Sequence, residues 1–301
     1  MATFVKFWGT RGSIPVPGRS SRVYGGNTAC VEIRIDETQF ICDAGSGMRE
    51  LGMDMMKRGE CEGEIHLLIT HTHWDHIQGF PFFAPAYLPN ARIRVYEPGG
   101  ADSQSFRLLS GQMTSPYFPV AFGDLRATII QDELGDEEKL IDGVVLRAFP
   151  LNHPGGAYGY SLEKDGCKIV YATDNELVLP EGSPFPDNDP KSPLRPAPID
   201  LLHACEGAQL LIMDAQFSDE QYQDRVGWGH SSSRSVVDLA VEAKVEQLAL
   251  FHHDPSNANA KIDEIVQACR DRIEGLGSKV VVFGAREGVE LKYDHPNAKS
   301  E

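Results

Sequence analysis

Three imidazoles and one carboxylate fall within six positions in His71-Thr72-His73-Trp74-Asp75-His76. The motif follows Glu64-Ile65-His66-Leu67-Leu68-Ile69-Thr70, an apolar run of strand length and composition. A strand that ends in such a cluster delivers several metal ligands from one rigid edge. Imidazole and carboxylate suit Zn²⁺ and related first-row ions. Three histidines alone could be surface chemistry, but the ordered pattern His-x-His-x-Asp-His is a far more specific signal.

Further donors stand at the ends of other apolar runs. His153 lies just past Val144-Val145-Leu146-Arg147-Ala148-Phe149-Pro150-Leu151. Asp174 follows Lys168-Ile169-Val170-Tyr171-Ala172-Thr173, and His252 follows Gln247-Leu248-Ala249-Leu250-Phe251. Each alone would be an ordinary loop residue; their recurrence after strands makes a pattern. They suggest two adjacent sites: His71, His73 and His153 holding one ion, Asp75, His76 and His252 the second, with Asp174 bridging. Two ions about 3.5–4 Å apart can share a hydroxide and clamp both oxygens of a displacement. Zn²⁺ is the expected ion, and Mn²⁺ or Fe²⁺ would accept the same donors.

With these residues in view, the chain resembles the metallo-β-lactamase superfamily. Within it, the chain is most similar to the branch of ribonuclease Z and cyclic phosphodiesterases. The resemblance runs over nearly the whole length. Gly9-Thr10-Arg11-Gly12-Ser13 with Gly26-Asn27-Thr28 resembles that branch's N-terminal signature, and Cys42-Asp43-Ala44-Gly45-Ser46-Gly47 its Asp-x-Gly turn. Tyr158-Gly159-Tyr160 follows the His153 loop as in that group. The segment from Glu206 to Phe217 resembles the one carrying a His-Glu-Ala-Thr motif, with Met213-Asp214 in place of the usual His-Glu. Gly229-His230-Ser231-Ser232 resembles the paired loop with a catalytic-site histidine. The resemblance implies an α/β fold, the four-layer αβ/βα sandwich. It also implies a binuclear phosphodiesterase in which a bridging hydroxide attacks the phosphodiester. His230 would contact the phosphate or protonate the leaving alkoxide, Asp214 would orient and charge it, and Asp75 would act both as ligand and as acceptor for the nucleophile.

Three further features carry two readings each. Asp43 either orients a ligand histidine or caps a helix starting near Ser46. Arg11 meets the substrate phosphate or, more commonly for an Arg in a Gly turn, is solvated. Phe80-Pro81-Phe82-Phe83-Ala84-Pro85-Ala86-Tyr87 forms an apolar wall for a flat group or, as favoured, packs the core beneath the metal loop.

The elements that must hold these residues alternate between strand and helix. The pattern predicts a hairpin over 30–43, helices over 47–58, 102–113, 232–244 and 258–274, and a short helix or turn over 76–83. Strands are expected over 126–131, 209–215, 279–283 and 287–292, and through most of 144–172. Seven prolines fall within 180–198, which reads as a loop, either a lid beside Asp174 or a surface insertion. The tail from His295 reads as frayed. The proposed ligands span both halves, so residues 1–301 read as one domain.

Composition narrows the partners. No apolar run approaches the roughly 20 residues needed to cross a membrane. The N-terminus reads as a first strand rather than a leader. The six cysteines, at 30, 42, 61, 167, 205 and 269, form no Cys-x-x-Cys pair, so buried reduced thiols and a cytoplasmic setting are expected. A net charge of −16 repels polyanions outside the site, so nucleic acid is an unfavoured partner and a small anionic substrate the favoured one.

A tRNA 3′-end endonuclease is the alternative function. That family commonly carries an RNA-binding arm between the equivalents of His153 and Asp174, where only 20 residues stand here and read as a hairpin. Hydrolysis of a lactone, thioester or sulfate ester by the same fold is a further alternative. A diiron redox protein is disfavoured by the His-rich ligands. The resemblance also allows a homodimer.

Overall fold

The computed structural model describes residues 1–98, 104–135, 137–178 and 189–298. Two seven-stranded mixed sheets form its centre. The first contains β1 (Ala2–Gly9), β2 (Cys30–Ile35), β3 (Thr38–Cys42), β4 (Glu64–Leu68), β5 (Arg92–Pro98), β6 (Thr128–Leu134) and, from the far end of the chain, β14 (Glu290–Asp294). The order is β14-β1-β2-β3-β4-β5-β6. The second contains β7 (Lys139–Ile141), β8 (Val144–Leu151), β9 (Ala157–Lys164), β10 (Cys167–Ala172), β11 (Leu210–Asp214), β12 (Gln247–Phe251) and β13 (Val281–Gly284), ordered β13-β12-β11-β10-β9-β8-β7. Each sheet is antiparallel on one side and parallel on the other. β3, β4, β5 and β6 run parallel, as do β10, β11, β12 and β13.

The sequence pattern explains the layers. β11 is apolar but for Asp214 and wholly buried, as a strand covered on both faces must be; β4 is buried from Ile65 to Leu68, with its His66 paired to the Tyr96 hydroxyl. Val5, Phe7, Ile33, Phe40 and Leu68 of the first sheet meet Leu146, Leu162, Ile169, Ile212 and Phe251 of the second in a shared inner core. Helices cover the outer faces. α1 (Met48–Arg58) and α3 (Ser105–Gly111) lie on the first sheet with Phe80, Phe83 and Ile77. α4 (Ile199–Cys205), α6 (Ser233–Glu242) and α7 (Asn259–Gly275) lie on the second. The result is the expected four-layer αβ/βα sandwich. α6 starts where Ser232 accepts from the Ser235 amide, and replacing such a cap by Ala costs about 1 kcal/mol.

The structure departs from the sequence pattern in places. β5, β7 and α4 were not foreseen; β7 is an edge strand of only three residues, and β5 lies beside the edge strand β6. Two very short helices, α2 (Trp74–Ile77) and α5 (Asp219–Tyr222), complete the set. The tail is docked rather than frayed at His295, which is buried and contacts the Thr3 hydroxyl at 2.9 Å. Residues 180–188 of the Pro-rich stretch lie outside the described residues, as do the first two residues of the helix expected over 102–113. The rest of that stretch is fixed. Arg272 donates to the carbonyls of Pro190, Ser192 and Pro193, and Arg195 is buried against Asp219, Asp238, Ser232 and Ser235.

All six cysteines are buried and free, and no helix among the described residues is long and apolar enough to cross a membrane.

Candidate metal centre

Most of the residues singled out for chemistry lie at or just past the carboxyl ends of parallel strands, where open α/β sheets bind ligands; His153 instead follows antiparallel β8, and His230 lies in the loop before α6. Asp43 follows β3, the His71–His76 motif follows β4, Asp174 follows β10, Asp214 ends β11 and His252 follows β12. Three of these turns are backbone-strained: Asp43, Asp174 and His252 have φ of 61°, 59° and 56°. Left-handed non-glycine residues of this kind cost about 1–3 kcal/mol each and gather at functional sites.

Three donor groups converge, with the ligand-type atoms in each lying within 4.8 Å of one another: His71, His73, His153 and Asp174; Asp75, His76 and His252; and Asp174, Asp214, His230 and His252. His153 Nε2 and His73 Nδ1 approach to 3.1 Å. His252 Nε2 lies 3.1 Å from both Asp75 Oδ2 and Asp174 Oδ1, and His76 Nε2 lies 3.2 Å from the same Asp174 oxygen. His71 Nε2 and His153 Nε2 point to the other oxygen, Asp174 Oδ2, at 3.5 and 3.7 Å. Asp174 thus faces each set with a different oxygen.

The donor set fits divalent cations. Nε2 of His71 is buried and has no hydrogen-bond partner among the described residues, although it is aimed into the cluster. Burial depresses the pKa of both His71 and His153, which keeps their lone pairs available. At His76 burial also opposes the charge, but Asp174, Asp75 and Asp43 outweigh it and push the pKa well up. Asp174 is likewise held well below the usual carboxylate range: burial opposes ionisation, but His252, His76 and His71 overcome it. Carboxylates this buried demand a cation, and divalent ions would answer that demand while leaving the imidazoles neutral.

Partners behind the cluster fix each ring. His76 Nδ1 donates to Asp43 Oδ2 at 2.8 Å, which turns Nε2 inward. Asp43 is itself held by the Thr70 amide and hydroxyl and by the Tyr171 hydroxyl. Of the two readings for Asp43, the structure therefore supports orientation of a histidine; α1 has no side-chain cap. Gly45 is required here because a Cβ would lie 2.3 Å from the Asp75 carbonyl. His153 Nδ1 donates to the Gly229 carbonyl at 2.9 Å, and the Ser13 amide donates to Asp75 Oδ2 at 2.7 Å. His230 Nδ1 lies 2.7 Å from Asp214 Oδ2, so the shorter carboxylate does reach.

Residues 38–253 match the family model of the beta-lactamase superfamily domain. The chain belongs to the metallo-β-lactamase superfamily. It is 27% identical to ribonuclease Z of Haloarcula marismortui, over 99% of each chain. Among solved structures it resembles the metallo-beta-lactamase fold protein YhfI from Bacillus subtilis, with TM-score 0.68 and 15% identity over 97% of this chain and 100% of that one. It also resembles the short form of human tRNase Z, with TM-score 0.61 and 20% identity over 96% and 98%.

This metallo-β-lactamase superfamily chain brings together every site residue that its sequence suggested. One lesser expectation needs correction and one holds. Arg11 is not solvated. It is buried, and its guanidinium donates to the carbonyls of Gly25, Asp254 and Asn257, clamping the N-terminal turn to the loop after His252. The Phe80–Tyr87 stretch is mainly core, as favoured, although Phe82 is exposed against Phe118.

One residue was missed. Glu176, buried two positions past Asp174, accepts from the Tyr222 hydroxyl and the Gly227 amide through Oε1 and from the Gly229 amide through Oε2, at 2.7, 2.7 and 2.8 Å. Ser231 reinforces the same junction by donating to the Asn175 carbonyl and accepting from the Leu177 amide. This clamp places the Gly229 carbonyl on His153 and the next residue, His230, on Asp214. Gly229 has φ 86°, and a Cβ there would lie 2.3 Å from His153 Nδ1.

Proposed function

We propose that this protein is a binuclear metal-dependent phosphodiesterase acting on a small anionic diester, cyclic esters included. The observation that carries the reading is His230: an imidazole charged by its own buried carboxylate, within ligand distance of Asp174 and His252. His71, His73, His153 and Asp174 would hold one ion, and Asp75, His76, His252 and Asp174 the other, with Zn²⁺ the expected metal. Bound there, divalent ions supply Lewis acidity toward phosphate oxygens and a nucleophilic water at neutral pH.

The chain's own groups do the rest. His230 carries a proton on the ring at neutral pH. Burial disfavours that charge, but Asp214, with Asp174 and Asp75 behind it, holds its pKa up at about 9. The imidazolium donates to a phosphate oxygen as the ester binds and gives its proton to the departing alkoxide. A positioned acid of this kind is worth roughly 10²–10⁴-fold. Asp214 keeps the ring in orientation and neutralises it. Asp75, fixed by the Ser13 amide, accepts the proton side of the attacking water.

A tRNA 3′-end endonuclease is the second reading, favoured by the ribonuclease Z relatives. Two features weigh against it. Between His153 and Asp174 the chain is the tight hairpin of β9 and β10, turning at Asp165-Gly166, with no segment long enough for an arm. The net charge of −16 repels a polyanion.

The test is a substrate panel with metal-quantified protein: bis(p-nitrophenyl) phosphate, its monoester, a lactone, a β-lactam and a tRNA precursor. Turnover of the diester with little cutting of the precursor is expected. Efficient precursor processing would transfer the assignment to the second reading, and lactone turnover without diester turnover would move it to carboxylic esters.

A further inference from the structure

The four buried imidazoles assigned to the metal centre are not held alike. His76 Nδ1 donates to Asp43 and His153 Nδ1 to the Gly229 carbonyl. His71 Nδ1 lies 3.1 Å from the Thr70 hydroxyl, which itself donates to Asp43. His252 is the exception. Its Nε2 faces Asp75 and Asp174, but its Nδ1 is buried and has no hydrogen-bond partner among the described residues. That ring lacks what usually fixes an imidazole toward its metal, a partner on the far nitrogen.

A close contact takes the place of the missing bond. Gly12 lies so near the His252 ring that a Cβ there would fall 2.4 Å from both Nδ1 and Cε1. Gly12 does not have a left-handed φ, so it is space rather than backbone conformation that demands a glycine. Two backbone bonds set the register. The Gly12 amide donates to the His253 carbonyl at 3.1 Å, and the His253 amide donates to the Thr10 carbonyl at 2.9 Å. The next residue, Ser13, donates its amide to Asp75 Oδ2 at 2.7 Å. The turn therefore touches His252 and Asp75, two ligands assigned to the same ion. Among the described residues no hydrogen bond joins it to His71, His73 or His153.

We propose that Gly12 and Ser13 are positioning residues for one ion alone, the one assigned to Asp75, His76, His252 and Asp174. Gly12 acts by packing on His252, and Ser13 by its amide on Asp75. The ion among His71, His73, His153 and Asp174 is held independently of this turn. The two positions are separable, and filling the space beside Gly12 empties one of them. The proposal rests on the two-ion part of the reading above and not on its substrate.

The experiment counts bound Zn²⁺ per chain against a graded chelator for wild type, Gly12→Ala and His252→Ala. The unfolding temperature of each metal-free protein is recorded alongside. Wild type should hold about two ions. Gly12→Ala should hold one as wild type does and bind the other about tenfold or more weakly, the scale on which support behind a ligand sets metal affinity. His252→Ala, which opens space instead of filling it, should show the same single loss. Amide exchange in wild type needs no variant: residues 10–14 should gain protection as one ion binds, and residues 227–231 as the other. Gly12→Ala that holds both ions as wild type does, or loses both together, overturns the proposal. A lowered unfolding temperature with both ions retained would make Gly12 a purely structural residue. Protection of the two segments in a single step also overturns the proposal, and that outcome decides the matter if Gly12→Ala does not fold. Diester turnover on the same samples separates the claims. A wild type with one ion removes the two-ion reading and this proposal with it, whereas two separable ions without diester turnover remove the phosphodiesterase reading alone.

Discussion

His230 Nδ1 lies 2.7 Å from Asp214 Oδ2, and the Asp214 side chain is fully buried. That pair sets the first expectation. With burial opposing it and Asp214 the largest favourable influence, His230 is raised from the ordinary value of about 6.5 to about 9. An acid with a raised pKa is active below it and is lost as pH rises through it. The alkaline limb of kcat/KM should therefore lie above about 6.5. It should fall below 9 in the loaded enzyme, because ions held by Asp75 and Asp174 would cancel those carboxylates' share. Asp214→Asn removes the main attraction, so the limb should move to lower pH and the neutral-pH rate should fall about 10²-fold. A pH profile of each protein checks this; a limb in the same place for both would separate Asp214 from the titration.

Asp75 and His230 should part company in metal content. Asp75 Oδ2 is within 3.1–3.3 Å of His252 and His76, so Asp75→Ala should lower bound metal and rate together. His230→Ala should lower the rate with metal retained, because His230 spends its Nδ1 on Asp214. Elemental analysis of both proteins decides it, and equal metal loss would make His230 a ligand.

Glu176 should act through the loop it holds. Glu176→Gln keeps the volume but offers only one acceptor oxygen for three donors, leaving a buried amide unpaired at about 1–3 kcal/mol. Thermal unfolding should register that loss. Metal affinity, read by competition with a chelator, should weaken about tenfold, because the Gly229 carbonyl that orients His153 drifts with the loop. Destabilisation with unaltered metal affinity would leave Glu176 a purely structural residue.

Arg11→Lys offers a contrast. A lysine cannot reproduce donation from both Nε and Nη1 to the carbonyls of Gly25, Asp254 and Asn257, so stability should fall by about 2–4 kcal/mol. KM for a diester should hold steady in the folded fraction. A large rise in KM would bring Arg11 back as a phosphate contact.

The legible part of this molecule was the part written locally. Strands that end in His71–His76, Asp174 and His252 advertise themselves by an apolar run followed by donors, and parallel pairing then aligns those ends without further instruction. The hairpin at Asp36-Glu37 and the Ser232 cap of α6 are local in the same sense. What stayed hidden depends on residues distant in sequence. Glu176 looks like any acidic loop residue, because two of its partners are backbone amides 51 and 53 positions away, with no side-chain signature. Arg11 is explained by carbonyls 243 and 246 positions on. The reach of Asp214 to His230 is decided by how β11 aligns with the loop before α6, which no spacing encodes. α4, at seven residues, is too short to show a helical period, and the tail docks through distant partners: His295 meets Thr3, and the Asn297 amide donates to the Asp165 carbonyl.

Two ions acting together on a diester are the centre of the proposed reaction. The direct measurement is titration of metal-free protein with Zn²⁺ while hydrolysis of bis(p-nitrophenyl) phosphate is followed, with bound metal counted in the same samples. The rate should climb to a plateau at about two ions per chain. A plateau at one ion, or no diester turnover at any loading, would contradict it.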